Sequence, residues 1–405
     1  MPALCAALLL CSVGTGLAAL DEPQPAYEKG LYDWTGNDWG LQHHVQAMGV
    51  YDDNPRRQSY SSHPLPDFAT RFDYGLVLGK YLDRFHYVRV DYDAQAWAWA
   101  RYGDLNTVDH TLAARMNYFD PQIDVTGYGW FAKPRALVAV RKAPEDFIAN
   151  AAPRRMETDL ALPLGYRFDT LRLELGPTYR QTRFLEPGFD VLDSRDIGGY
   201  AELEQMLRTD QTAWYGRIEY RSVDRRRPDL FNNFSAAGLR IGWRQHIAGT
   251  LRSDIGLDAD LFSRLSNRAA DGTPATALNL SPFIDLTWQP DPEATTVEFS
   301  LRRRFEPDTA VSAGAFTTAN VHLTQMVVRE SLDVGLGSRM TVNNRLGGGS
   351  ATVFSLKADA NFHYGHADWP PLTIIVAVGI DLNRSDLPGS SYQSRTATIG
   401  CRAVF

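Results

Sequence analysis

Apolar and polar residues take turns along this chain in stretch after stretch from Gly40 to Phe405, a period of two that only β-strands have. Residues 332–344 set Leu332, Val334, Leu336, Met340 and Val342 against Asp333, Arg339, Thr341 and Asn343. Residues 249–263 set Leu251, Ile255, Leu257 and Leu261 against Arg252, Asp254, Asp258 and Asp260. In residues 212–224, Trp214, Ile218 and Tyr220 oppose Arg217, Glu219 and Arg221. The last stretch, 392–405, carries Arg395, Ala397, Ile399, Cys401, Ala403 and Phe405 on one face and Ser394, Thr396, Thr398, Gly400 and Arg402 on the other. Charges on one face of every strand are costly in a packed sandwich core and cost little along a hydrated lumen.

Eighteen such stretches are predicted, sixteen at the fewest, with 124–140 and 295–316 alternating least cleanly. The connections have a rhythm of their own. Gaps such as 83–84, 168–169, 247–248 and 330–331 are tight, whereas 52–67, 141–156, 184–194, 225–232, 264–276 and 305–316 are long. Short turns at one end, longer loops at the other and an even count define an up-and-down antiparallel barrel of the outer-membrane type, with both termini on the periplasmic side. The predicted fold class is therefore all-β, a transmembrane antiparallel barrel of about 18 strands over residues 40–405. A strand ending on Phe405 is expected to pair with the first strand and to address the barrel assembly machinery.

Composition agrees with this reading. No apolar run approaches the roughly 18 residues a membrane helix needs, and the mean hydropathy of −0.30 is what alternating strands average to. The 18 Tyr, 19 Phe and 9 Trp are enough for interfacial girdles. A net charge of −7 speaks against a nucleic-acid partner. Residues 1–19, with an apolar core and Gly-Leu-Ala-Ala ahead of Asp21, read as a cleaved signal peptide, although no Lys or Arg precedes the core. Residues 20–39 read as a short periplasmic tail. Cleavage leaves only Cys401, so neither a disulfide framework nor a zinc site is expected, and no phosphate-binding glycine loop calls for a cofactor.

The eighteen-strand pattern, the minimal tail and the run Val50-Tyr51-Asp52-Asp53-Asn54-Pro55 resemble the outer-membrane β-barrel porin family of proteobacterial exopolysaccharide loci. That resemblance implies a conduit for exopolysaccharide export that meets polysaccharide export components in the periplasm. The alternatives are a general or oligosaccharide-uptake porin and, from another class, a lipid-modifying barrel enzyme.

By strand phase the expected pore-lining residues are Arg89, Asp91, Asp93, Trp97, Trp99, Glu202, Glu204, Arg217, Glu219, Arg221, Arg240, Arg244, Arg252, Asp254, Asp258, Asp260 and Arg302. This mixed field suits hydroxyl-rich or weakly charged solutes, or serves as an ion-pair lattice that stiffens the wall. Trp97 and Trp99 are either a platform for pyranose rings or, if a bulge resets the phase, part of the outer girdle. Tyr200, Tyr215 and Phe283 face inward by the same phase and extend that track. Arg56-Arg57, Arg154-Arg155, Arg225 to Arg227 and Arg302 to Arg304 lie toward the long-loop end, where outer-membrane lipid and lipopolysaccharide phosphates are the expected partners. Asp52 and Asp53 are candidate ligands for a divalent cation there, and two carboxylates do not define a site. For an enzyme, His322 and His363 with Thr318, Asn320 and Ser355 are the inward cluster to examine; His86 and His110 face outward.

Overall fold

The computed structural model describes residues 39–59, 63–81, 86–120, 128–142, 153–207, 212–227, 229–247, 250–266, 272–291, 294–307, 313–329, 331–366, 369–386 and 390–405. The expected signal peptide and nearly all of the expected tail lie outside these residues.

Twenty strand segments make one closed sheet. They begin with β1 (Gly40–Asp52), β2 (Asp67–Tyr81), β3 (Tyr87–Trp99), β4 (Thr107–Phe119), β5 (Tyr128–Ala132), β6 (Arg135–Lys142), β7 (Arg154–Ala161), β8 (Leu164–Phe168) and β9 (Leu171–Phe184). They continue with β10 (Ser194–Met206), β11 (Thr212–Arg225), β12 (Phe234–Ile247), β13 (Leu251–Arg264), β14 (Thr276–Asp291) and β15 (Thr295–Pro307). The last five are β16 (Ala313–Val328), β17 (Leu332–Arg345), β18 (Ser350–His366), β19 (Trp369–Ser385) and β20 (Tyr392–Val404).

The twenty segments are eighteen staves. β5 and β6 are one strand broken at Pro134, and β7 and β8 one strand broken at Pro163. The register against β4 and β9 runs unchanged through both breaks. A proline cannot donate to the ladder, so the carbonyls of Pro134 and Pro163 carry the pairing there, accepting from Met116 and Lys133 at 3.0 and 2.9 Å. Each stave pairs antiparallel with its sequence neighbour, and β1 closes on β20 from His44↔Val404 to Asp52↔Thr396. The predicted fold class is borne out.

The faces follow the alternation. Leu257, Ile374, Ile399 and Met340 stand exposed on the outside, while Asp258, Asp333, Asn343 and Arg402 are buried inside. Aromatic residues ring the short-turn end of the outer face, among them Trp130, Trp214, Trp288, Tyr364 and Phe405, as an interfacial girdle requires.

One stave departs from the wall. β14 pairs with β13 along its whole upper half, yet β15 pairs with β14 only from Ile284↔Leu301 downward. Above that point Arg302–307 keeps its pairing with β16 alone. The detached end leans inward. Phe305 packs on Phe262 with ring centroids 5.6 Å apart, and both join Val223, Phe234, Ala313 and Ala315 in a buried cluster. Val223, Phe234 and Phe262 are inward-facing residues of β11, β12 and β13, so the upper end of β15, with Ala313 and Ala315 beside it on β16, packs on the inner wall at the barrel mouth. Residues 302–304, expected on the loop side facing lipopolysaccharide, are carried inward with it.

Candidate functional site: a narrowed lumen

The inner wall between β5 and β14 is built from a repeated unit of glycine, aromatic ring and guanidinium. Tyr200 lies over Gly176, Tyr215 over Gly242 and Phe283 over Gly256; a Cβ on these glycines would come within 2.2, 2.5 and 2.7 Å of the respective rings. Each ring is capped in turn by an arginine. The Cζ of Arg217 sits 3.6 Å from the Tyr200 centroid, that of Arg244 3.9 Å from Tyr215 and that of Arg240 4.5 Å from Phe283. Bare glycine backbone lets a ring lie flat on a sheet, and the ring's negative face then holds the cation.

Carboxylates fix the arginines. Arg240 makes a forked pair with Asp258 at 2.6 and 2.9 Å. Arg244 donates to Glu202 at 2.7 Å, pairs with Glu204 and lies 3.3 Å from Asp254, whose other oxygen accepts from Tyr215 Oη at 2.7 Å. Tyr200 Oη donates to Glu174 at 2.6 Å, and Arg302 pairs with Asp285. In a site of reduced dielectric such paired charges hold one another in place.

The hairpin adds a second layer. Arg221 spans from β11 to Glu306 on β15 at 3.2 Å and to Asp196 at 3.4 Å. Arg180 pairs with Asp159 at 2.7 Å. These groups, with Arg217, Glu219, Asp260 and Arg304, surround a cavity of about 70 Å³ lined by β7, β9, β10 to β13 and β15. The inward end of β15 thus takes up part of the lumen and sets charges of both signs around the small space left between it and the wall.

Of the residues singled out by phase, Glu202, Glu204, Arg217, Glu219, Arg221, Arg240, Arg244, Asp254, Asp258 and Asp260 stand together on β10 to β13, and Arg252 lies half-buried on the same wall. Arg89, Asp91, Asp93, Trp97 and Trp99 form a separate patch on β3, with four staves between it and β10. There Arg89 donates to Asp91 at 2.6 Å, and Arg115 lies 3.3 Å from the same carboxylate. Trp97 and Trp99 turn inward in an unbroken register, stacked 5.9 Å apart at 7° and packed on Met48, Val50 and Ala69. The girdle alternative for these two falls. Tyr200, Tyr215 and Phe283 do not extend an open track for sugars, because arginines cover their faces. Asp159, Arg180, Asp196 and Glu306 are not among the sequence candidates, and Arg304, expected at lipopolysaccharide, stands in the lumen instead. Asp159, Arg180, Asp196 and Arg304 follow from strand phase, whereas Glu306 needs the inward turn of β15.

Other candidates resolve differently. The carboxylate of Asp52 accepts from Ser394 Oγ at 2.7 Å and from the Asn54 N–H at 2.8 Å and pairs with Arg57, while Asp53 accepts from the Arg395 N–H at 2.6 Å. The Asp-Asp-Asn run is thus a clasp between the first loop and β20 rather than a cation site. Arg56 pairs with Asp104, Arg155 with Glu157, Arg226 with Asp193 and Arg227 with Asp229, so these loop cations are already committed. His363 sits between Asp333 and Thr373 Oγ1, the latter at 3.2 Å, and His322 lies 3.9 Å from Glu298. Among the described residues no serine hydroxyl bonds either histidine.

A closed barrel with an apolar exterior, an aromatic girdle and a charged interior defines a transmembrane protein of the bacterial outer membrane. The sequence matches no family model and no curated protein. Among solved structures it is similar to OccK2 (OpdF) of Pseudomonas aeruginosa, at 8% identity over 90% of this chain and 98% of that one, with a TM-score of 0.48. The outer membrane protein OpdK of the same organism gives 8%, 90%, 99% and 0.46, and OccAB3 of Acinetobacter baumannii gives 10%, 91%, 99% and 0.45.

Proposed function

We propose that the protein is a passive channel for small polar solutes, a porin of the general or oligosaccharide-uptake kind, with the residues of β10 to β13 and β15 lining its selective constriction. The inward hairpin of β15 and β16 carries this reading. It brings the upper end of β15 into the lumen, where Arg180, Arg217, Arg221 and Arg304 stand beside Asp159, Asp196, Glu219, Asp260 and Glu306. Charges of both signs across a narrow wet gap orient dipolar solutes and let water and small hydroxylated molecules exchange hydrogen bonds as they pass. A conduit for a growing polysaccharide needs a bore clear along its length, and the packing of Phe305 on Phe262 works against that use.

The test is solute flux into liposomes holding the refolded protein, with sugars graded from mono- to hexasaccharide. Flux that falls steeply with size supports the uptake reading. Equal passage of long oligosaccharides, or loss of surface polysaccharide from a deletion strain, would instead favour export.

A further inference from the structure

The gap that the detached end of β15 leaves in the wall has a chemistry of its own. We propose that the seam between β14 and β15 is a lateral portal that binds a single-chain amphiphile with an anionic head group, of the fatty-acid kind, from the outer leaflet.

The seam begins at a residue that cannot extend the ladder. The Arg264 N–H donates to the Ala275 carbonyl at 2.8 Å and the Gln289 N–H to the Thr250 carbonyl at 2.7 Å. Between these two bonds the β13–β14 register is uniform, so odd-numbered residues of β14 turn their backbone groups to β13 and even-numbered ones to β15. Pro282 is even-numbered. It stands where the next donor above the Ile284↔Leu301 pair belongs, and it has no N–H to give. Beyond it, Thr276, Leu278 and Leu280 aim N–H and C=O toward a strand that has moved away.

These groups lie at membrane depth. Trp288 marks the girdle at the short-turn end, and eight residues of tilted strand raise Leu280 by about 20 Å, within an apolar band about 25 Å tall. Open backbone at that depth is tolerated only beside protein or water, so the seam is a wetted slot in the wall. Its outer lip is apolar: Leu280 is 72% exposed, the highest value of any large apolar side chain among the described residues, and Leu278 and Pro282 share its face.

A second observation gives the polarity of the ligand. Arg303 lies on the same side of β15 as Phe305, the side that faces the inner wall. Its Nε is buried without a hydrogen-bond partner, and its guanidinium donates to no described residue, whereas Arg304, on the other side of the strand, belongs to the charged cavity with Glu219. Buried unsatisfied guanidinium nitrogens are costly. By continuation of the Ile284↔Leu301 register Arg303 stands level with Pro282, and an apolar lip with one such cation behind it fits an acyl chain that ends in a carboxylate, which accepts from guanidinium in a fork.

The proposal is independent of the channel reading, and a non-conducting barrel that binds such a ligand would uphold the portal alone. The experiment uses the full barrel in phosphatidylcholine nanodiscs, titrated with dansyl-undecanoate and with its neutral methyl ester, folding being checked by heat-modifiable mobility. Saturable binding of the acid is expected, at least tenfold weaker in Arg303→Ala, largely kept in Arg303→Lys and weakened in Leu280→Trp, which fills the lip. If Arg303→Ala does not fold, Leu280→Trp and Arg303→Gln carry the comparison. Acid binding that is unchanged in these variants, or ester binding as tight as that of the acid, overturns the proposal. Lipid A that co-purifies with the protein and resists displacement by dodecanoate also overturns it, since the seam is then a resident-lipid site.

Discussion

Ser394 Oγ donates to Asp52 Oδ1 at 2.7 Å, joining the two ends of the barrel across 342 positions of sequence. Around that bond the first loop grips the last strand. Asn54 Nδ2 donates to the Gln393 carbonyl at 2.9 Å, Arg57 donates to Ser394 Oγ at 2.5 Å, and Asp53 exchanges backbone and side-chain bonds with Arg395. Asp52, Asn54 and Ser394 are almost wholly buried. The clasp secures the one pair of strands that no hairpin turn connects.

Breaking the clasp is therefore expected to loosen closure more than an ordinary surface change would. Asp52→Ala leaves the Arg57 guanidinium without its nearest carboxylate and should cost about 3–5 kcal/mol. Ser394→Ala removes a bond to a charged acceptor, about 1.5–3 kcal/mol. Urea titration of the folded, heat-modifiable band measures both, and unchanged midpoints would show that the β1–β20 ladder holds by itself.

Arg244 stands among Glu202, Glu204 and Asp254. Arg244→Ala removes the shared cation and leaves three carboxylates on one patch of the inner wall. The expected result is a shift toward cation selectivity, read as the reversal potential in a potassium chloride gradient, with a loss of stability of about 3–5 kcal/mol. Arg244→Lys should keep much of the stability but lose the stacking on Tyr215, because a lysine has no planar fork.

The lipid-facing assignment is tested by charge. Leu257 is 67% exposed on β13 and Ile374 lies on the outer face of β19. Arginine at either position near the midplane should cost about 2–4 kcal/mol, whereas Asp254→Asn, on the opposite face of β13, should leave membrane insertion intact. Normal refolding yields for both arginine variants would contradict the face assignment.

Much of this architecture was legible in the chain. Alternation set the faces of β13, β17 and β20, and the difference between tight and long connections fixed which end is which. Pro134 and Pro163 interrupt hydrogen bonding but not phase, so each pair of segments carries one unbroken alternation. Pro282 carries a consequence that alternation does not hold: it ends a ladder, and whether a neighbour then leaves the wall depends on what awaits inside, here Val223, Phe234 and Phe262. The Asp-Asp-Asn run looked like a family mark or a cation site because its partners, residues 393–395, lie at the far end of the chain. The covered faces of Tyr200 and Tyr215 were hidden for the same reason, since a guanidinium from a neighbouring strand has no fixed sequence spacing from the ring it caps.

The inward hairpin is the hinge of the functional reading, and single-channel conductance of the wild type and Phe305→Ala tests it most directly. Truncating Phe305 removes its packing on Phe262, a loss of about 3–5 kcal/mol for a buried phenylalanine, and frees the upper end of β15 to leave the mouth. Small, stable conductance steps in the wild type and clearly larger ones in Phe305→Ala are predicted. Equal steps in the two proteins, or a folded wild-type barrel that never conducts, would contradict a channel narrowed by that hairpin.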